Sequence, residues 1–140
     1  MLKQCDLADR HFPLFMDMTN RKCLVVGGGA LAAEKARLLL DFGALVIILS
    51  HTVGREIEAL NQNYSTCSVE NRNFNPRDLN GVALVISATG NIEVDSLIAS
   101  AAQIASVPVN VVDNKKLSTF SVPAILDRGS IQIAISSCGK

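Results

Sequence analysis

A run of three glycines between an apolar segment and a helical pattern limits most strongly what this chain can fold into. The apolar segment Lys22–Val26 leads directly into Gly27-Gly28-Gly29. Residues 31–40 then repeat apolar side chains with the spacing of an α-helix. A strand, a tight turn and a helix in this order predict the start of a βαβ unit.

The small residues of this turn follow the spacing Gly-x-Gly-x-x-Ala, which is typical of dinucleotide-binding proteins. Gly27 permits the tight turn, Gly29 lets a pyrophosphate approach the backbone, and Ala32 allows the helix to pack closely on the strand. The helix N-terminus then faces the anion. An ordinary flexible turn is the alternative, but it does not require a small residue at position 32. The predicted cofactor-binding residues of the turn are Gly27, Gly28, Gly29, Ala30 and Leu31.

Strand-like and helical segments alternate along the rest of the chain. The patterns predict strands over residues 44–49, 66–70, 82–88 and 107–112, and helices over residues 53–62 and 92–105. Two shorter apolar runs follow at residues 121–126 and 131–136. This alternation predicts an α/β fold, a Rossmann-like doubly wound parallel sheet.

The composition excludes several classes of protein. Thirteen basic residues balance thirteen acidic ones, so no net charge attracts the chain to nucleic acid or to an anionic membrane. No apolar run reaches the length of a membrane span, and we expect a cytoplasmic protein that binds neither partner. The cysteines lie too far apart for a metal site, so no metal ligands are predicted among Cys5, Cys23, Cys67 and Cys138.

Residues that follow the strands are further cofactor candidates, because ligands of an open parallel sheet lie beyond the carboxyl ends of its strands. The second strand ends in Ser50, His51 and Thr52, without the acidic residue that usually binds the adenosine ribose. Their side chains offer hydrogen bonds to the ribose instead. An arginine at this place would indicate binding of a 2′-phosphate, and these three residues include none. We therefore predict NAD rather than NADP. His51 has the alternative of a surface loop residue without a role. At the end of the fourth strand, Ala88 and Thr89 complete the predicted cofactor residues.

Several further blocks keep their order and spacing over nearly the whole chain. They are residues 11–15 (HFPLF), 24–29 (LVVGGG), 35–40 (KARLLL), 110–113 (NVVD), Phe120, 123–128 (PAILDR) and 133–137 (IAISS). Together they resemble the N-terminal domain of the siroheme synthase family. The resemblance implies a homodimeric precorrin-2 dehydrogenase that makes sirohydrochlorin with NAD, and it allows ferrous iron insertion as a second activity.

The resemblance also implies a division of the chain and two differences from the family. Residues 1–113 correspond to an NAD-binding Rossmann domain, and residues 114–140 to the start of a dimerisation and substrate region. Family members carry an acidic residue after the Ala-Thr of the fourth strand, whereas Gly90 and Asn91 follow here. Such domains also continue beyond the Ser-Ser-x-Gly segment, so we expect this sequence to be a truncated part of one.

Asp113 is the predicted catalytic residue. It follows the fifth strand, so it should share the rim of the sheet with the glycine turn. Oxidation of precorrin-2 removes a hydride and a proton, and a carboxylate within hydrogen-bond reach can act as the general base, a role that the resemblance also assigns to Asp113. The same carboxylate would accept pyrrolic protons during iron insertion. A solvated Asp-Asn turn is the alternative.

The tetrapyrrole substrate is a polycarboxylate, so it needs local positive charge in a chain of zero net charge. Lys115, Lys116 and Arg128 are the basic candidates, although a lysine pair in a loop is as commonly solvated surface. Ser136 and Ser137 match the family's small polar segment along the substrate cleft, where their hydroxyls could bind carboxylates. Their alternative is a strand end that leaves the sheet.

Two other functions compete with this one. A non-catalytic NAD-sensing Rossmann domain shares the fold, but it would not require the 110–113 block or the region of Phe120 and Pro123. An ordinary dehydrogenase of small alcohols or hydroxy acids would need a His, Lys or Tyr acid. The single tyrosine, Tyr64, is predicted to lie in a loop far from the motifs.

Overall fold

Five parallel strands form the centre of the structure, a computed structural model in which residues 10–137 are described. The strands are β1 (Lys22–Val26), β2 (Leu45–Leu49), β3 (Cys67–Glu70), β4 (Leu84–Ser87) and β5 (Val109–Val111). Their order in the sheet is β3-β2-β1-β4-β5, so the chain reverses its direction of winding between β1 and β4. The predicted Rossmann-like sheet is confirmed, and its topological switch point lies directly beyond the glycine turn.

Helices cover both faces of this sheet. The helices are α1 (Ala30–Asp41), α2 (Arg55–Asn63) and α3 (Ile92–Ile104). The first two pack with the alternate strand residues of one face, and α3 packs on the other face. Because both faces are covered, the central strands are apolar at almost every position, and β4 is buried at all four.

The ends of the elements follow local backbone chemistry. After α1 the chain turns at Gly43, whose φ of 84° is in the left-handed region that glycine adopts without strain. The side chain of Asn91 accepts hydrogen bonds from two backbone amides of the first turn of α3 and so caps that helix. Between β3 and β4, residues 73–80 contain a 3₁₀ helix, Pro76–Leu79, with a capping box between Asn75 and Asp78.

β5 is shorter than the strand predicted over residues 107–112. Pro108 has no N–H to donate at its start, and at the other end Asp113 adopts a φ of 61°, which no strand can continue. β4 likewise covers only residues 84–87 of the predicted 82–88, although Val82 and Ala83 are also buried.

The two last apolar runs form a separate antiparallel hairpin of β6 (Ala124–Arg128) and β7 (Ile131–Ile135). Every residue of the two strands is exposed. Direct pairing places Leu126 opposite Ile133, so these side chains share one face of the hairpin with Ile131 and Ile135. An isolated two-stranded hairpin is marginally stable in water. Within residues 10–137, no helix or second sheet covers this face, in contrast to the main sheet.

Two of the four cysteines lie in the described part of the chain, and both are buried and unpaired. Burial raises the pKa of the Cys23 thiol to about 11, and it also raises the pKa of Cys67. The described residues do not include Cys5 or Cys138. They also do not include the last residues of the sequence, which bear on the predicted truncation. Within residues 10–137, no group of three His, Cys, Asp or Glu side chains is placed to hold a metal, and no helix is both long and apolar enough to cross a membrane.

Candidate functional site

A cavity of about 780 Å³ lies at the carboxyl ends of the parallel strands, next to the switch point. All ten predicted cofactor residues line it, and so does the predicted base. They are Gly27, Gly28, Gly29, Ala30, Leu31, Ser50, His51, Thr52, Ala88, Thr89 and Asp113. Other residues of its wall were not predicted as site residues, among them Gly54, Arg72, Asn73, Phe74 and Val94. We call this the nucleotide cavity.

The first two glycines of the turn are enclosed by backbone from neighbouring loops. Gly27 has a φ of 135°, and a Cβ there would lie 2.4 Å from the carbonyl oxygen of Ala88. A Cβ on Gly28 would lie 1.6 Å from the carbonyl oxygen of Thr52. Only glycine fits at these two positions, because in each case the obstacle is backbone that cannot move aside.

Gly29, in contrast to Gly27 and Gly28, is not enclosed by neighbouring backbone. A Cβ built there meets no protein atom within 4 Å, and the residue is exposed at the start of α1. No side chain caps the first turn of α1, and no acidic residue lies in it. Its backbone amides therefore lack side-chain partners and face open space, as a bound pyrophosphate requires. The residues present fit a dinucleotide cofactor.

The loop after β2 is held by its own hydrogen bonds. The Ser50 hydroxyl donates to the carbonyl oxygen of Thr52 at 2.7 Å and accepts from the Thr52 amide at 3.2 Å. His51 pairs through Nε2 with Oδ1 of Asn73 at 2.5 Å, across to the segment that follows β3. Ser50 therefore shapes the loop around Gly28, while His51 and Asn73 form the polar edge where the adenosine ribose of a dinucleotide would lie.

At the end of β4, a buried carboxylate holds the cavity wall. Asp95 in α3 is 7% exposed and accepts a 2.6 Å hydrogen bond from the hydroxyl of Ser87 and another of 2.6 Å from Thr89. The Thr89 hydroxyl also accepts from the Asn91 amide at 3.1 Å. These bonds fix the Ala88–Thr89 backbone against the glycine turn. Asp95 was not singled out from the sequence, where it is one acidic residue in a helix.

Asp113 lies at the junction of two cavities. Besides the nucleotide cavity, it lines a second cavity of about 620 Å³ between the end of β5 and the hairpin. The residue is exposed, and its φ of 61° turns the chain sharply after β5, with the Asn114 amide donating to the carbonyl oxygen of Val111 at 3.0 Å. We call this second space the substrate cavity.

The structure brings three of the five predicted substrate residues to the substrate cavity. Lys115, Ser136 and Ser137 line the substrate cavity. Lys116 and Arg128 line neither cavity, and Arg128 lies at the far end of the hairpin, opposite Ile131. Two basic residues that were not predicted, His11 and Lys35, contribute to the wall instead. His11 pairs with the Ser121 hydroxyl at 3.3 Å, a contact across the chain that no local sequence pattern indicates.

Comparison with protein families gives one match. Residues 14–124 fit the model NAD_binding_7, described as "Putative NAD(P)-binding". This supports the predicted NAD cofactor.

Similar proteins are siroheme synthases. The chain is 45% identical over 129 residues to that of Nitrosomonas eutropha and 39% identical over 130 residues to that of Vesicomyosocius okutanii, covering 92% and 93% of this chain. It spans about a quarter of the length of these relatives, 27% and 28%. The family resemblance is confirmed.

A solved structure, SirC, a precorrin-2 dehydrogenase, matches with a TM-score of 0.73 at 25% identity. The match covers 92% of this chain and 63% of that one. This likeness agrees with the parallel sheet and flanking helices described above.

Proposed function

The chain belongs to the NAD(P)-binding family whose model covers residues 14–124, and we propose that it catalyses the NAD-dependent oxidation of precorrin-2 to sirohydrochlorin. The observation that carries this proposal is the position of Asp113, which lines the nucleotide cavity and the substrate cavity at once. A group at that junction can reach a substrate while the substrate contacts the cofactor.

NAD supplies the hydride acceptor for this reaction. The uncapped amides at the start of α1 bind its pyrophosphate, and the space beside Gly29 admits it. His51 and Asn73 offer hydrogen bonds to the ribose in place of the usual carboxylate. Ala88 and Thr89, held by Asp95, form the wall towards the β4 side of the switch point.

The substrate cavity suits an anionic molecule. Lys35 and Lys115 bring positive charge to its wall, His11 brings an imidazole, and Ser136 and Ser137 bring hydroxyls. Such groups bind carboxylates, of which precorrin-2 carries several. We retain Lys116 and Arg128 as predicted substrate ligands only for a substrate that extends beyond this wall, since neither lines it.

Asp113 then acts as the general base. Its carboxylate accepts the proton that leaves the macrocycle as the hydride departs. The left-handed backbone gives a short side chain a fixed starting direction. If ferrous iron is also inserted, the same carboxylate accepts the pyrrolic protons, so that iron is a substrate and needs no protein metal site.

We further propose that two copies of the chain associate through the hairpin. On one face of the hairpin, Leu126, Ile131, Ile133 and Ile135 form an exposed apolar area with Arg128 at its end, and a second copy would bury this area. The cytoplasm is the proposed compartment, which is supported by the unpaired thiols of Cys23 and Cys67.

The test has two stages. Calorimetric titration with NAD should first give saturable binding, and incubation with precorrin-2 and NAD should then produce sirohydrochlorin, followed by its absorbance. Binding without turnover, with substrate shown to bind, would favour the NAD-sensing domain over the enzyme. Absence of NAD binding by folded protein would overturn both.

A further inference from the structure

An arginine lies beside the ribose end of the nucleotide cavity, although none is among the three residues that directly follow β2 in the sequence. β3 pairs with β2 so that Glu70 is next to Leu49, and the Ser50 amide donates to the carbonyl oxygen of Glu70 at 3.2 Å. Arg72 follows two residues later and lines the cavity with Ser50 and His51. In this fold the end of β2 is where the 2′ position of the adenosine ribose is recognised, and an arginine there usually accommodates the 2′-phosphate of NADP.

This arginine is already occupied by two carboxylates. Its Nε donates to Glu70 at 2.6 Å, and its two terminal nitrogens donate to both oxygens of Asp78 at 2.9 and 2.7 Å. A fourth bond of 3.2 Å reaches the carbonyl oxygen of Asn73. Four of the five N–H groups of a guanidinium are thereby directed at protein acceptors. Few donors are left for a phosphate.

Asp78 is held in place from its other side. One of its oxygens also accepts the Asn75 amide at 2.7 Å, as part of the capping box of the 3₁₀ helix. Its side chain is 12% exposed, against 43% for Arg72. The hydrogen bonds from Arg72 hold the pKa of Asp78 below its usual range, so this carboxylate is charged at neutral pH. To release the arginine, a ligand would have to separate a two-point ion pair that is partly buried.

The charges of the cluster point the same way. The two carboxylates outnumber the guanidinium that they hold, and Lys22 is a further cation that acts on Asp78. A guanidinium paired in this way offers little net positive charge to a 2′-phosphate, whereas the 2′-hydroxyl of NAD carries no charge and needs none.

We propose that Glu70 and Asp78 determine cofactor specificity by holding Arg72 away from a 2′-phosphate, so that the site accepts NAD and rejects NADP. The inference rests on the proposed nucleotide site. It explains how a cavity with an arginine in its wall selects the unphosphorylated cofactor, and it identifies the carboxylates as the residues that make the selection.

The experiment measures the Kd of NAD and of NADP separately by calorimetry. Asp78→Asn keeps the size of the side chain and an acceptor for the Asn75 amide, but it removes one charge. It should lower the Kd of NADP about threefold to tenfold, and leave that of NAD within about twofold. Glu70→Gln should act in the same direction, and the double variant should show the largest gain. The gain should shrink at high salt, because it is electrostatic.

Two further variants make the result specific. Arg72→Gln combined with Asp78→Asn should abolish the gain, since the freed guanidinium is its source. Asp127→Asn removes the same charge from the exposed hairpin and should change neither Kd. Circular dichroism checks that each variant is folded. If Asp78→Asn is unfolded, the test uses Glu70→Gln instead, because the Glu70 side chain is 45% exposed and its replacement disturbs packing less.

The outcomes separate this inference from the function on which it rests. If the unaltered chain binds NAD but folded carboxylate variants bind NADP no more tightly, the specificity mechanism is overturned and the nucleotide site stands. A gain that persists without Arg72 also overturns it. If the unaltered chain binds neither nucleotide, the proposed function fails and the inference fails with it.

Discussion

Thr89 donates a 2.6 Å hydrogen bond to the buried carboxylate of Asp95, and this bond ties the end of β4 to the first turn of α3. Ser87 donates to the same oxygen from within the strand. One carboxylate thus holds two hydroxyls in a region where water has little access. The glycine turn depends on this arrangement, because the Ala88 carbonyl that fits against Gly27 lies between the two donors.

Asp95→Ala should destabilise the chain by about 2 to 4 kcal/mol, because two hydroxyls lose a charged acceptor and one of them is fully buried. NAD binding should weaken as well, since the cavity wall at Thr89 is released. Urea denaturation and calorimetry measure the two effects. Asp95→Asn, which keeps an acceptor, should lose less. Glu93→Ala, an exposed change in the same helical turn, should cost less than about 1 kcal/mol; an equal loss for both alanine variants would contradict this account.

Substitutions in the glycine turn should separate binding from folding. Gly29→Val should fold normally, because its side chain meets open space, yet prevent NAD binding by filling the path of the pyrophosphate. Gly28→Val should lose folding itself, since its side chain would overlap the Thr52 backbone. Thermal melting and NADH fluorescence distinguish the two. Ala59→Val, on the exposed side of α2, is the control for added volume. Unchanged NAD affinity in Gly29→Val would refute the fingerprint assignment.

Asp113→Asn should preserve NAD affinity and lower precorrin-2 oxidation by about a hundredfold or more, the scale expected for loss of a general base. Asparagine also tolerates the left-handed backbone at this position, so the fold should be retained. Rates come from sirohydrochlorin absorbance at saturating NAD. Asp127→Asn serves as the charge control. Oxidation at the original rate would place the base elsewhere, and retained iron insertion alone would show that the two activities use different groups.

The hairpin face should control association. Ile133→Lys places a charge at the centre of the apolar face and should shift the chain to monomers in analytical ultracentrifugation. Gln132→Lys adds the same charge on the opposite face of the same strand and should not. A monomeric unaltered chain, or dimers that persist in Ile133→Lys, would remove the hairpin as the interface.

Alkaline pH should destabilise the chain through Cys23. Its pKa is about 11 in the fold, above the ordinary value of 9.0 for a cysteine thiol, so the unfolded chain releases the thiol proton first. This contribution to stability is present below pH 9 and is lost as the pH rises towards 11, by about 1 to 3 kcal/mol. Denaturation midpoints between pH 8 and 10.5 should therefore fall less steeply in Cys23→Ala. Parallel slopes for the two proteins would contradict the shift.

The sequence predicted the parts of the site that lie next to one another along the chain or at the ends of apolar strands. The glycine turn and Asp113 are of this kind, because the carboxyl ends of parallel strands meet at one edge. Arg72 and His11 could not be found in this way. Their places depend on which strand neighbours β2 and on how the N-terminal segment crosses to Ser121, and both depend on tertiary packing.

Tertiary packing also explains two other differences between the predicted site and the observed one. The steric enclosure of Gly28 comes from the loop after β2, so the sequence showed a glycine but not its obstacle. Asp95 looked like an ordinary acidic residue in the first turn of a helix. Its burial depends on the depth at which α3 packs against β4, which helical periodicity does not specify.

The left-handed backbone at residue 113 restricts how mutation can alter this site over evolutionary time. Aspartate, asparagine and glycine adopt that conformation readily, and of the three only aspartate carries a carboxylate. Glutamate keeps the charge, but it favours the left-handed region less and extends further from the backbone. Codons for asparagine and glycine are one nucleotide away from those for aspartate. A lineage can therefore lose the base in a single step while keeping its fold, and it can regain the base by the reverse step.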